Sequence, residues 1–143
     1  WVIFGVVFGV MPMKDQSMMP KLAAGDLLLY YRLDRTPGDR EVVVFEKEGK
    51  THVGRVVARE GDTVEIREDA LLQINGNAIV ENEIYYSTEP YEEGIKYPVT
   101  LTDEEVFILC DYREGAKDSR YFGPVTKKEL KGTVITAIRR SGI

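Results

Sequence analysis

Short runs of β-branched and aromatic residues, separated by turn residues, recur along this sequence and constrain its fold more than any other feature. Asn75-Gly76-Asn77 stands between two such runs, and Asn-Gly is among the strongest short-range signals for a β-hairpin. Only 126–130 favours a helix, about one turn long, with Thr126 as its N-cap. The pattern predicts a mostly β protein with strands at 27–33, 42–45, 51–59, 63–66, 71–74, 78–80, 105–110 and 133–138.

Charge and composition exclude several classes of function. The 143 residues form a single predicted domain, 1–143, and carry 19 Lys+Arg against 24 Asp+Glu, a net charge of −5. Binding to nucleic acid requires concentrated positive charge, so we expect no nucleic-acid partner. Cys110 and His52 are the sole cysteine and histidine. One of each cannot build a disulfide framework or a usual zinc site, and we predict no metal and no cofactor.

The first ten residues carry no charge. A helix needs about 20 apolar residues to span a bilayer, so this run cannot span alone. Three interpretations stay open: a buried strand, a strand lying at a membrane surface, or the end of a spanning helix. Two glycines and the β-branched and aromatic content favour a strand, so 1–13 is predicted to be an apolar, membrane-proximal strand. No basic segment precedes the run, which argues against a signal peptide.

A second distinctive stretch, 81–104, is acidic and rich in tyrosine. Because it also contains Pro90, Gly94 and Pro98, we predict an irregular insertion there. Long loops in compact domains are usually functional or mobile. Its tyrosines could form a recognition surface or pack beneath the loop, and both interpretations stay open. They are Tyr85, Tyr86, Tyr91 and Tyr97.

Three motifs follow one another along the chain. The first is Ser-Met-Met-Pro-Lys-Leu at 17–22 with Gly-Asp at 25–26, the second is Gly-Arg-Val at 54–56 with Gly-Asp at 61–62, and the third covers 110–123. In this order they resemble the conserved boxes of type I signal peptidases. The resemblance implies a fold of antiparallel sheets, a membrane anchor, and a serine nucleophile with a lysine base that cleaves pre-proteins after small residues.

The residues that the resemblance assigns to catalysis are mostly replaced here. Ser17 matches the nucleophile, but Gly54 stands where the lysine base belongs and Ala116 where a hydroxyl orients that lysine. A serine hydroxyl is a poor nucleophile until a base takes its proton. Asp15 matches an oxyanion-hole position, where a carboxylate would oppose the developing charge by about 4 kcal/mol at 4 Å and an effective dielectric of about 20.

Other matching positions suggest structural and binding roles. The methionines at 11, 13, 18 and 19 could line a peptide groove or belong to the core, and the resemblance places substrate contacts at Met18, Met19 and Pro20. The charged and hydroxyl residues that the motifs retain are expected to pair or to cap turns. They are Arg55, Asp111, Arg113, Asp118, Ser119 and Arg120.

The resulting hypothesis is a membrane-anchored, signal peptidase-like protein with little or no proteolytic activity. It would lie on the extracellular face behind one N-terminal anchor and bind a pre-protein or pilin peptide. Degenerate homologues of this kind accompany sortase and pilus machinery in Gram-positive bacteria, which implies a role in pilus assembly.

Two alternatives stay open beside this hypothesis. The chain could be an active serine endopeptidase with an atypical base such as His52, which alternation places on the strand face of Gly54. Lys14, Lys21 and Lys117 are instead predicted to face water. A soluble module of the self-cleaving repressor type is disfavoured, since no DNA-binding segment is present.

Overall fold

The computed structural model describes most of the chain, with short gaps. The described residues are 2–14, 17–19, 21–33, 37–38, 40–67, 72–79, 81, 84, 88–91, 94–113 and 117–138. Their elements are α1 (Val2–Val7), β1 (Phe8–Pro12), β2 (Leu27–Tyr31), β3 (Val42–Lys47), β4 (Lys50–Ala58), β5 (Thr63–Ile66), β6 (Leu72–Ile74), β7 (Asn77–Ala78), β8 (Val99–Thr100), β9 (Glu105–Leu109), α2 (Ser119–Phe122), β10 (Val125–Thr126) and β11 (Leu130–Ile138).

Within these residues the strands form two antiparallel sheets. The larger sheet has the order β1-β2-β11-β3-β4-β9-β10, and the smaller sheet has the order β7-β6-β5-β8. The long C-terminal strand β11 lies between β2 and β3 and pairs with both of them. The predicted mostly β fold is therefore confirmed.

Two tight hairpins have positive φ at both of their central residues. Glu48 and Gly49 connect β3 to β4 with φ of 55° and 76°. Asn75 and Gly76 connect β6 to β7 with φ of 55° and 82°. Positive φ at both central residues is typical of the type I′ turn, whose twist matches that of the flanking strands. The predicted Asn-Gly hairpin is confirmed.

Alternation along β3 and β4 separates two apolar clusters on opposite faces of the larger sheet. Val44 and Val53 face one cluster, whereas Val43 and Val56 face the other. The Met18 cluster contains Met13, Met18, Leu22, Leu28, Tyr30, Val44, Val53 and Cys110. The Ile108 cluster contains Val43, Phe45, Val56, Val106, Ile108, Val125 and Leu130. A third apolar cluster joins the two sheets through residues such as Val57, Val64 and Phe107.

The expected N-terminal strand is only partly correct, because residues 2–7 form a helix and the strand begins at Phe8. β1 pairs with β2 from Phe8 opposite Tyr31, where β2 ends. Arg32 then donates from its backbone to the Val7 carbonyl at 2.7 Å and from Nε to the Phe8 carbonyl at 2.9 Å. β2 ends at Tyr31, so Val2–Val7 lie beyond the paired region, and the short helix satisfies part of their backbone hydrogen bonding internally. Neither described helix has the length and apolarity required to cross a bilayer.

Two further expectations need correction. Residues 127–129 form a turn between β10 and β11, and the helical turn lies earlier, at Ser119–Phe122. The Glu129 carboxylate accepts from the Thr126 backbone and hydroxyl at 2.9 and 3.1 Å, which resembles helix capping locally. The stretch 81–104 is not irregular throughout, because Val99–Thr100 pairs with β5. A strand of two residues is too short to produce a recognisable alternation.

Candidate functional site

The turn at Ser17–Met19 is fixed against the segment that follows β9. The Tyr112 amide donates to the Ser17 carbonyl at 2.9 Å, and the Asp111 amide donates to the Met18 thioether at 3.3 Å. Within the first motif, the Leu22 amide donates to the Met18 carbonyl at 2.9 Å. The first and third motifs, almost a hundred residues apart in sequence, therefore meet at half-buried Ser17.

Met18 is a core residue, and its expected contact with substrate stays a prediction. Its side chain is fully buried and packs against Val53 and Cys110 in the Met18 cluster. Met13 is buried in the same cluster, while Met11 and Met19 are half-buried. The core alternative thus applies to Met13 and Met18, whose side chains are buried in one cluster.

The two Gly-Asp pairs form the turns that the sequence indicates. Gly25 has φ of 95°, and the Asp26 carboxylate accepts from the Ala23 amide at 2.9 Å. Gly61 has φ of 86°, and the Asp62 carboxylate accepts from the Arg59 amide at 3.0 Å. Glycine tolerates this left-handed backbone, and aspartate closes the turn by bonding the backbone three residues earlier.

Gly54 lies buried in β4, and its missing side chain leaves no open cavity. A Cβ built on its backbone would lie 2.3 Å from Ile108 Cγ2 and 3.4 Å from Phe45 Cε1. Both neighbours belong to the Ile108 cluster, so the position predicted for a lysine base is occupied by core packing. A lysine stem at residue 54 would enter an apolar environment, which favours the neutral amine by desolvation.

His52 shares a neighbour with this position. Its half-buried ring stacks on Phe45 at a centroid distance of 5.4 Å and lies 5.5 Å from Phe122. The shared Phe45 ring agrees with the expectation that His52 and Gly54 point to the same strand face. The three lysines close to the motifs in sequence, Lys14, Lys21 and Lys117, are exposed.

A buried ion pair joins the second motif to the third. Arg55 donates from Nε and Nη2 to the two carboxylate oxygens of Asp111 at 2.9 and 2.7 Å, and from Nη1 to the Arg40 carbonyl at 2.8 Å. Both partners are at least nine-tenths buried. The paired geometry fixes Asp111, whose amide holds the Ser17 turn through Met18.

In the third motif, side chains rather than a neighbouring strand accept hydrogen bonds from two backbone amides. Asp118 caps α2, accepting from the Arg120 amide at 3.0 Å, and also accepts from the Cys110 amide at 3.0 Å. Ser119 Oγ accepts from the Ile108 amide at 2.9 Å. Arg120 Nη2 pairs with Asp118 at 2.9 Å and both side chains are fully buried. Desolvation lowers the pKa of Arg120, but the bond and charge of Asp118 outweigh this and raise it overall.

A second buried network, missed by the sequence analysis, holds the tyrosine-rich stretch. Fully buried Arg113 donates to both Glu81 carboxylate oxygens at 2.8 and 2.7 Å and to the Thr88 hydroxyl at 2.6 Å. Arg40 also donates to Glu81 at 2.7 Å. Burial raises the pKa of Glu81, but the two guanidinium groups outweigh it, so the pKa lies below the ordinary 4.5. No sequence signal specifies this pairing, because its members are far apart along the chain.

Several predicted site residues lie outside the described residues. They are Asp15, Pro20 and Ala116, together with Tyr85 and Tyr86. The proposed oxyanion-hole and base-orienting positions therefore stay predictions. Across the described ranges, no group of three or more His, Cys, Asp or Glu side chains is arranged to hold a metal ion.

Comparisons with known proteins agree on one family. The family model described as signal peptidase, peptidase S26, matches residues 1–138. A signal peptidase I P from Bacillus subtilis subsp. natto is 30% identical over 132 residues, covering 84% of this chain and 70% of the relative. A signal peptidase I from Bacillus caldolyticus is 31% identical over 146 residues, covering 90% and 78%. A crystal structure of a signal peptidase I from Enterococcus faecalis has a TM-score of 0.56 and 26% identity, and the match covers 71% of this chain and 97% of that chain.

Proposed function

Because the chain belongs to the signal peptidase family, peptidase S26, we propose that it binds an extended polypeptide near Ser17 and cleaves it poorly or not at all. The fold is that of signal peptidase I. The substrate class, a pre-protein or pilin peptide, follows from the family resemblance. The loss of activity is argued from residues of this chain.

The observation that carries the proposal is the environment of Gly54. Glycine supplies no amine, and Ile108 Cγ2 occupies the space where a side chain would begin. Loss of a positioned general base typically lowers a rate by about 10²–10⁴-fold. Removal of one member of a catalytic unit can cost still more, because the members act together. Ser17 is therefore expected to be an inefficient nucleophile.

The protein is further proposed to work at the outer face of a cell membrane. An exposed apolar face on the larger sheet supports contact with lipid. Val10, Leu27 and Ile138 are 51%, 41% and 63% exposed on the adjacent strands β1, β2 and β11. Their neighbours in sequence, including Met11 and Leu28, pack against the Met18 cluster on the opposite face. Large exposed apolar patches are typical of interaction surfaces.

A narrower role in pilus assembly rests on the resemblance to degenerate family members. Its test is capture of purified pilin and sortase subunits by the immobilised chain. The control is a chain with Tyr91 changed to serine, since this half-buried tyrosine belongs to the stretch that could form a recognition surface. Capture of neither subunit would reject the pilus role and leave the catalytic proposal intact.

The central experiment is a cleavage assay. The chain is incubated with a purified pre-protein in detergent or lipid vesicles, and new termini are identified by mass spectrometry. The matched control is Ser17→Ala, which removes the hydroxyl and keeps the turn. We expect the same background cleavage from both proteins. Robust turnover that disappears in Ser17→Ala would overturn the proposal.

The active alternative would use His52 as its base. His52 stacks on Phe45, the ring that also adjoins Gly54, so an imidazole lies near the position of the missing amine. Cleavage that depends on both Ser17 and His52, measured with Ser17→Ala and His52→Gln, would establish this alternative. Background cleavage from both variants and from the parent chain would reject it.

A further inference from the structure

β11 changes from an interior strand to an edge strand halfway along its length. Its first half pairs with β3 as far as Thr133 opposite Val43. From Thr133 to Ile138 it pairs with β2 on its other side. β3 begins at Val42, so among the described strands residues 134–138 have a partner on one side only.

A groove of about 380 Å³ lies along this open edge. One wall is formed by β11 residues 133–137. Leu22 and Val42 also line the groove, and the charged residues Lys21 and Glu41 are exposed at its rim. The groove adjoins the candidate site, because Lys21 directly follows the first motif and Arg55, which also lines the groove, follows Gly54.

The chemistry of the groove matches an extended polypeptide. Alternate N–H and C=O groups of an antiparallel strand point to opposite sides, so every second pair in 134–138 faces away from β2. Thr133 Oγ1 lines the groove and is buried, with no hydrogen-bond partner among the described residues. The register shifts between Val134 and Thr136, which leaves Ile135 54% exposed at the groove. Bulges of this kind often end strand pairing or redirect a side chain.

We propose that an extended segment of a client polypeptide adds to the open edge of β11 as a further strand. This inference rests on the proposed function, peptide binding without efficient cleavage, and gives that binding a location. It also replaces the methionine-lined groove expected from the sequence, since Met13 and Met18 are buried in the core. Strand addition takes affinity from backbone hydrogen bonds and selectivity from alternate side chains. The walls select apolar side chains, and the rim carries charges of both signs at Lys21 and Glu41.

The test uses a capped eight-residue peptide of alternating valine and threonine with one central glutamate. Its binding is measured by fluorescence polarisation, and hydrogen exchange is followed at the amides of 134–138. We expect these amides to be protected by the peptide and not by a version with every backbone amide N-methylated. Ile135→Glu should weaken binding at least tenfold. Ile79→Glu, the same change at an exposed isoleucine that follows β7 and lies outside the groove, should alter it less than twofold.

Several outcomes would overturn the proposal. Equal loss of binding in both variants, equal binding of the N-methylated peptide, or protection confined to another strand would each do so. Protection of 134–138 that grows with protein concentration without peptide would assign the edge to a second copy of the chain. Far-UV circular dichroism and thermal unfolding of both variants ensure that folded proteins are compared. Ser17-dependent cleavage with an intact groove would reject only the proposed function.

Discussion

Replacement of Gly54 by alanine tests the packing on which the proposed loss of activity depends. Gly54 has extended backbone in β4, so alanine is compatible with its conformation. The new Cβ would begin 2.3 Å from Ile108 Cγ2. Carbon atoms prefer about 3.5–4.0 Å, so one of them must move by more than about 1 Å. The substitution adds no charge and isolates the steric effect from the chemistry of a lysine.

The expected magnitude follows from two opposing effects. Overpacking a well-filled core costs about 1–3 kcal/mol. Replacing glycine by alanine stabilises the folded protein by about 0.4–1 kcal/mol, because the unfolded chain loses conformational entropy. The net loss in free energy of unfolding should be roughly 1–2 kcal/mol. Ile108→Ala alone should cost about 2–5 kcal/mol, since it leaves a cavity beside Gly54.

Urea unfolding of the parent, of Gly54→Ala, of Ile108→Ala and of the variant with both changes forms a double-mutant cycle. The double variant should lose at least about 1 kcal/mol less than the sum of the singles, because the new methyl enters the space vacated by Ile108. Equal urea slopes would show that the same surface is exposed on unfolding in each protein. A Gly54→Ala chain as stable as the parent, or an additive cycle, would refute the argument that Ile108 fills this space.

Three other predictions concern the site and its buried charges. Gly54→Lys with Ala116→Ser restores an amine and a hydroxyl but sets the lysine stem against Ile108, so pre-protein cleavage should stay at the parent's background; a rise approaching the about 10²–10⁴-fold contribution of a positioned base would contradict the packing argument. Asp111→Asn should lower the free energy of unfolding in urea by about 3–5 kcal/mol, because Arg55 loses its buried carboxylate; a loss below about 1 kcal/mol would contradict this. The lowered pKa of Glu81 means that its stabilisation is fully present above pH 4.5 and is lost as pH falls through the folded-state pKa. The stability difference between the parent and Glu81→Gln should therefore shrink between pH 7 and 3, whereas a constant difference would contradict it.

The features predicted correctly are those governed by neighbouring residues. The hairpin at Asn75-Gly76 and the turns at Gly25 and Gly61 form because these residues tolerate positive φ at little cost. The strand runs also appear where expected, although β3 and β11 extend further than their apolar cores suggest. Such elements need no distant partner to be recognised in sequence.

The features missed depend on which segment comes to lie beside which. Residues 2–7 form a helix beyond the point where β2 ends at Tyr31, a boundary absent from the apolar run itself. Met18 enters the core because its turn faces Val53 and Cys110. Arg113 and Glu81 are matched only when the third motif folds against the tyrosine-rich stretch.

The amino-acid sequence alone specified the β content, the turns, the family resemblance and the absence of an amine at Gly54, because each is encoded in local residue types and their order. Only the tertiary structure decided that Ile108 fills the adjacent space and that β11, among the described strands, keeps an open edge beside Lys21. Both depend on how distant strands pair and pack, and a linear pattern does not contain that information. Side-chain volume and backbone pairing become defined once the sheets have assembled.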